Sequence, residues 1–153
     1  MARIVEILVA SVLSSAMESR ESVRAVPGRG LEGDRYFFGL GTFSPNPHKP
    51  DYEVTLIQKE HIENFQAASA LPFTSKHARR NLVSEGVDLN SLVGKDFTVG
   101  SVRLRGLRLC EPCNHLAKST FPAVLHGLVH KGGLRAQILS EGVIQVGDPL
   151  TVA

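Results

Sequence analysis

Cysteine is scarce in this chain, with two in 153 residues, and tryptophan is absent. Two cysteines can do little to staple a fold of this length, so stability has to come from a buried core. No apolar run approaches the ~20 residues that a membrane-spanning helix requires. An excess of charge of one sign is also missing. The 17 basic and 15 acidic residues leave +2, too mild a balance to point to nucleic acid or to a membrane surface. Internal repeats, linkers and low-complexity tracts are lacking, and so is a clear export signal. Residues 4–13 are largely apolar and follow Arg3, but Glu6 interrupts them and the basic region is thin. A first strand is the better reading of that stretch, and a reducing cytoplasm is the expected compartment.

What is present is an ordinary globular composition, 42% hydrophobic and 21% charged. One domain over residues 1–153 is expected. The local pattern is mostly strand. Residues 4–9 are short and β-branched, and 22–26 form a second candidate strand stopped by Pro27-Gly28. A glycine-rich loop covers 28–35, and three prolines make 42–50 a loop. Residues 53–57 read as strand, and 58–69 as a helix with Ile62 and Phe65 on one face. Residues 78–83 suit a strand after a turn. Asp88 can cap the turn at 89–92. Strands follow at 95–100 and 101–109. The end of the chain, 134–139 and 143–152, has the pattern of a hairpin turning at Glu141-Gly142.

Strand 101–109 carries a parity break. Val102 and Leu104 share one face and Arg103 and Arg105 the other, but beyond Gly106 the order reverses. A bulge at Gly106 would restore the register and place Arg103, Arg105 and Arg108 on one side. That side is either a solvated outer face or a basic wall leading to Cys110.

The most informative stretch is Cys110-Glu111-Pro112-Cys113, which ends a strand and opens an expected helical run at 114–118. A helix N-terminus favours an anion, and only the thiolate is a good nucleophile and metal ligand. Four readings stay open. Two buried cysteines acting as small hydrophobes would explain the spacing poorly. A dithiol redox site suits the local setting, although the chain lacks repeated βαβ units. Zinc fits formally, since Cys110, Cys113, His126 and His130 have finger spacing and both histidines could share a helix over 123–130. Against zinc stand the polar run between the ligand pairs and a helix without basic residues to read DNA. The fourth reading is a single essential sulfur that carries a persulfide or binds a metal, backed by anion-binding residues. Arg79-Arg80-Asn81 offers two guanidinium groups and an amide suited to phosphate. His130-Lys131-Gly132-Gly133-Leu134-Arg135 pairs cations with a loop whose amides can approach a ligand.

An ordered set of segments carries a family resemblance. It comprises Gly30-Leu31-Glu32-Gly33-Asp34-Arg35-Tyr36, Glu53-Val54-Thr55-Leu56-Ile57, Arg79-Arg80-Asn81-Leu82-Val83 and Leu92-Val93-Gly94-Lys95-Asp96-Phe97-Thr98-Val99-Gly100. Leu109 to Cys113 follows, then His130 to Ala136, then Gly142-Val143-Ile144-Gln145-Val146-Gly147-Asp148. In these the chain resembles the MOSC domain family, named for the C-terminal domain of molybdenum cofactor sulfurase.

The resemblance implies a mainly β, barrel-like fold with a few short helices. It also implies a site for molybdenum cofactor (a pterin phosphate carrying the metal) or for a transient persulfide sulfur destined for it. Cys113 matches the family's key cysteine as catalytic group and metal ligand, with Cys110 a helper. Arg79, Arg80 and Asn81 match the phosphate-contacting segment. Lys131, Arg135 and Arg35 complete the expected cofactor-binding set. A sulfur donor or a redox partner protein is implied, with neither nucleic acid nor membrane. Molybdenum-dependent reduction of N-hydroxylated compounds is the alternative activity. A zinc-stabilised binding module is the third. The sequence has no segment matching a cysteine desulfurase, so pyridoxal phosphate is not expected.

Overall fold

The computed structural model describes residues 2–11, 16–38 and 49–152, and the prolines of 42–48 fall outside these. Strands β1 (Arg3–Val9), β2 (Glu18–Arg20), β3 (Ser22–Val26) and β4 (Gly30–Leu31) come first. They are followed by β5 (Val54–Gln58), α1 (Lys59–Ser69), α2 (Ser75–Ala78) and β6 (Leu82–Glu85). Then come β7 (Asp96–Val99), β8 (Val102–Leu109), α3 (Asn114–Ser119) and α4 (Val124–Gly127). The chain closes with β9 (Leu134–Ile138), β10 (Gly142–Gln145) and β11 (Leu150–Val152). Single 3-10 turns lie at Pro50–Tyr52 and Leu89–Leu92, the second capped by the Asp88 side chain on the Asn90 amide.

Eight strands form one sheet in the order β11-β7-β8-β9-β5-β6-β1-β2, and β10-β3-β4 form a second. Within the large sheet only β5 and β6 run parallel. They flank the helical crossover through α1 and α2, as a parallel pair requires. The sheet curls into a half-barrel. Its far edge returns to β1 through the bridge Arg3↔Pro149 and through bonds from the Ile4 amide to the Asp148 carbonyl and from the Leu150 amide to the Ala2 carbonyl. Ile4, Leu56, Leu82, Phe97, Leu104 and Ile138 fill the concave side. Each such side chain contributes about 1.5–3 kcal/mol by leaving water. A second apolar cluster, with Leu8, Ile57, Phe65, Phe73, Leu116 and Val124, lies under the helices.

Helix α1 follows from its pattern: Ile62 and Phe65 turn inward, and Ala70 closes it with a left-handed backbone at φ 58. The Gly106 bulge is present as the register shift between Gly106 and Arg108 in the β8–β9 pairing. Gly106 has no room for a side chain without a backbone shift, since a Cβ there would stand 2.0 Å from the Leu92 carbonyl oxygen.

Two expected elements differ. The strand placed at 78–83 begins only at Leu82, because α2 runs through Ala78 and Arg79 turns left-handed at φ 57. The terminal hairpin does not form. β9 pairs with β8 and β5, β10 with β3, and β11 with β7. Gly147 at φ 94, the Asp148 carboxylate on the Gln145 amide (2.8 Å) and Pro149 break 143–152 into two strands that enter different sheets.

Candidate functional site: an arginine and cysteine cluster

Strand β8 delivers the chain to Cys110, whose amide donates to the Gly133 carbonyl at 2.8 Å. Gly132 sits so close that a Cβ there would meet the Cys110 carbonyl oxygen at 2.4 Å. The loop before β9 is thus pressed against the Cys110–Pro112 turn. Both thiols are free. Cys110 is buried, whereas Cys113 is half-buried at the N-cap of α3 and packs against the second apolar cluster. The Cys113 sulfur makes no capping hydrogen bond, so α3 does not consume it.

Arg80 locks this turn. Its Nε donates to the Gly132 carbonyl (2.7 Å), Nη2 to the Cys110 carbonyl (3.0 Å) and Nη1 to the Ala78 carbonyl (3.1 Å). Carbonyl dipoles satisfy these donors while leaving the positive charge in place. Arg35 is also buried. It pairs with Asp34 at 3.2 Å, donates to the Arg79 carbonyl at 3.2 Å and lies over the Tyr36 ring at 4.7 Å. Asp34 is sealed and also accepts the Ala10 and Tyr36 amides. Burial, then the charge of Arg35, holds the Arg79 guanidinium below the usual arginine range. Two cations that disfavour one another in a partly dry site are relieved by an anion.

Arg135 supplies the second half of the cluster. It is 8% exposed, donates from Nη1 to the Asp51 carbonyl at 3.3 Å and lies over the Tyr52 ring at 4.9 Å. Burial works to lower its pKa, but the Coulombic pull of Cys110 and Tyr36 and a Tyr36 hydrogen bond raise it overall. Its Nε is buried with no hydrogen-bond partner. Such an orphaned donor costs roughly 1–3 kcal/mol. An acceptor group on a ligand would relieve that cost, so the donor set present here fits a phosphate-bearing group.

The cluster therefore gathers Arg35, Arg79, Arg80, Arg135 and Cys110, with Cys113 three residues on. Two other expected residues go elsewhere. Asn81 is wholly buried. Its Nδ2 donates to the Leu8 carbonyl and its Oδ1 accepts from the Thr55 amide and hydroxyl, each at 3.1 Å. It braces β1 and β5 at the start of β6. Lys131 lines a groove beside α1. Tyr36, Tyr52 and Asp34 belong to the cluster although sequence reasoning did not select them as site residues. Tyr36 and Asp34 flank Arg35 in the glycine-rich segment, and that adjacency was the available signal.

The arginine face of β8 is solvated. Arg105 and Arg103 pair with Asp96 at 2.7 and 3.7 Å, and Arg108 with Asp51 at 2.8 Å. The zinc set is not assembled. Among the described residues no three His, Cys, Asp or Glu side chains are placed to hold a metal. α4 is only Val124–Gly127, and His130 turns left-handed at φ 59, so the two histidines share no helix face. His130 Nδ1 instead meets Glu111 at 2.8 Å.

A curled β half-barrel whose cysteine turn is buttressed by buried arginines defines the class. The chain matches the MOSC domain over residues 42–151 and belongs to that family, which is linked to molybdenum cofactor binding. Among solved structures it is similar to YuaD from Bacillus subtilis, with a TM-score of 0.81 at 17% identity over 99% of this chain and 96% of that one. It is similar to YiiM from Geobacillus stearothermophilus, with a TM-score of 0.73 at 19% identity, covering 100% of this chain and 75% of that one. For YiiM from Escherichia coli the TM-score is 0.69 at 16% identity, with 99% and 69% covered. At such identities these likenesses show the fold. No curated protein sequence matches. No helix among the described residues is long and apolar enough to cross a membrane.

Proposed function

We propose that the arginine and cysteine cluster holds a molybdopterin-type ligand, or sulfur on its way to one, with Cys113 as the sulfur that binds the metal or carries a persulfide. The observation that carries this reading is the buried, unpartnered Nε of Arg135 within a group of guanidinium cations. Arg135 and Arg79 take the anionic phosphate; Arg80 and Arg35 hold the loops that present it. Arg80 acts as a positioning residue, since its guanidinium donates to the Gly132, Ala78 and Cys110 carbonyls. Tyr36 interacts electrostatically with both Arg79 and Arg135 and hydrogen-bonds the latter.

When bound, the group supplies a molybdenum centre suited to soft thiolate ligation. Cys113 is the more accessible thiol and faces that role, while Cys110 tunes Arg135 from within. As a sulfur carrier, the Cys113 thiolate attacks the outer sulfur of a donor persulfide. The donor S–S bond breaks, a new Cys113 S–S bond forms, and the donor leaves as thiolate. A reducing compartment keeps both thiols available.

The test is elemental and pterin analysis of protein made in a cofactor-competent host. Wild type is expected to retain molybdenum and pterin phosphate together. Cys113→Ser loses molybdenum, Arg135→Gln loses both, and Cys110→Ser loses less than either. Equal retention by both cysteine variants overturns the division of roles. Absence of pterin from the wild type overturns the reading itself.

A further inference from the structure

A groove outside the arginine cluster opens between α1 and α4. Its volume is about 340 Å³, and His61, Asn64, Phe65 and Ala68 line it with Ser69, Ala123, Gly127 and Lys131. That volume falls within the range of sites for small organic ligands. The groove exists because of small residues. A Cβ at Gly127 would stand 2.2 Å from the Phe65 ring, so any side chain there would invade the floor. The exposed residues Ala68 and Ala123 leave the walls low. The floor is therefore aromatic, and small apolar residues shape part of the walls.

The lining carries one cation, Lys131, and three other polar side chains, His61, Asn64 and Ser69. Lys131 forms no ion pair among the described residues. Burial, then the Lys131 charge, holds His61 below the usual histidine range, hence neutral at pH 7, with the Lys131 backbone opposing the shift. Asn64 adds an amide, whereas the Ser69 hydroxyl already donates to the Phe65 carbonyl at 2.7 Å and accepts from the Leu71 amide at 3.2 Å. A single unpaired cation over an apolar floor favours an anion with an apolar body and disfavours a cation.

We propose that this groove is a binding site for a small apolar carboxylate, an aromatic or branched-chain acid, with its body on Phe65 between Ala68 and Ala123 and its carboxylate on Lys131. The proposal is independent of any cofactor in the arginine cluster. The two sites are nonetheless neighbours, because Lys131 directly precedes Gly132, whose carbonyl Arg80 holds at 2.7 Å.

Fluorescence titration with 2-naphthoate tests it, and the chain's lack of tryptophan leaves the probe's emission unobscured. Saturable binding is expected, with the uncharged 2-naphthalenemethanol bound about tenfold more weakly because it lacks the charge-assisted contact. Lys131→Gln removes that discrimination, and Ala68→Phe, which fills the groove from an exposed position, abolishes binding at unchanged melting temperature. If Ala68→Phe lowers the melting temperature, Ala123→Phe makes the same test from the opposite wall. Binding that does not saturate overturns the proposal. So does wild-type affinity in either filled variant, or equal affinity for acid and alcohol.

Discussion

Asn81 offers the sharpest separation between a residue that touches a ligand and one that holds the walls of its site. Its side chain donates to the Leu8 carbonyl and accepts from the Thr55 amide and hydroxyl, and Asn81, Leu8 and Thr55 are all buried. The Asn81 amide in turn donates to the Thr55 hydroxyl at 3.1 Å, so the two residues are reciprocally bonded. Asn81→Ala leaves the Leu8 carbonyl, the Thr55 amide and the Thr55 hydroxyl proton without partners where water cannot reach them, while the Thr55 hydroxyl oxygen keeps its bond from the residue-81 amide. At the low end of the cost of an unsatisfied group, ~1 kcal/mol each, the loss is about 3 kcal/mol. For a domain of this size that corresponds to a melting temperature lower by about 6–12 °C. Circular dichroism melting of wild type, Asn81→Ala and Asn81→Asp checks it. The aspartate variant should fall as far, because it replaces the donor to Leu8 with a second oxygen. A drop of under about 2 °C, accompanied by loss of retained phosphate ligand, would refute the bracing role and return Asn81 to the ligand.

Three further outcomes follow from the geometry. Gly106→Ala should cost about 1–3 kcal/mol, because its Cβ would overlap the Leu92 carbonyl oxygen and nothing flexible stands in between; an unchanged melting temperature would contradict the close approach at the bulge. Glu111 accepts from the His130 amide at 2.7 Å and meets its ring at 2.8 Å, tying the cysteine turn to the loop before β9. The pair is exposed, so Glu111→Ala should change global stability by less than ~1 kcal/mol. It should nonetheless raise the rate of Cys110 alkylation roughly fivefold through local opening, and an unaltered rate, read by mass spectrometry, would sever that link. His61 has a folded pKa below the ordinary 6.5, so its contribution is present above that value and lost as pH falls through the depressed folded value. The slope of stability against pH in that window should flatten in His61→Gln, and an equal slope would refute the assignment.

Much of the fold could be read along the chain. β1, β3, β5, α1, β7 and β8 are where hydrophobic alternation, helical spacing and the Gly106 parity break placed them, because each signal acts within a few residues. The clustering of Arg79 and Arg80 with the cysteine turn could not be read from spacing, and only the ordered family segments pointed to it. Some 30 residues separate Arg80 from Cys110, and their contact depends on β6 and β8 lying in one sheet with β9 and β5 between them.

The order of apolar and polar residues by itself determined that this chain builds strands on a curled sheet and that its two sulfurs stand at a strand-to-helix junction. Only tertiary packing decided which side chains serve that junction. Asn81 and Arg80 are adjacent in sequence, yet one points into the sheet and the other reaches the cysteine loop, since the left-handed turn at Arg79 redirects the backbone between α2 and β6. The terminal segment makes the same point. Its alternation matched a hairpin, but edge strands take whichever partner the closed core leaves open, and here β3 and β7 were those partners.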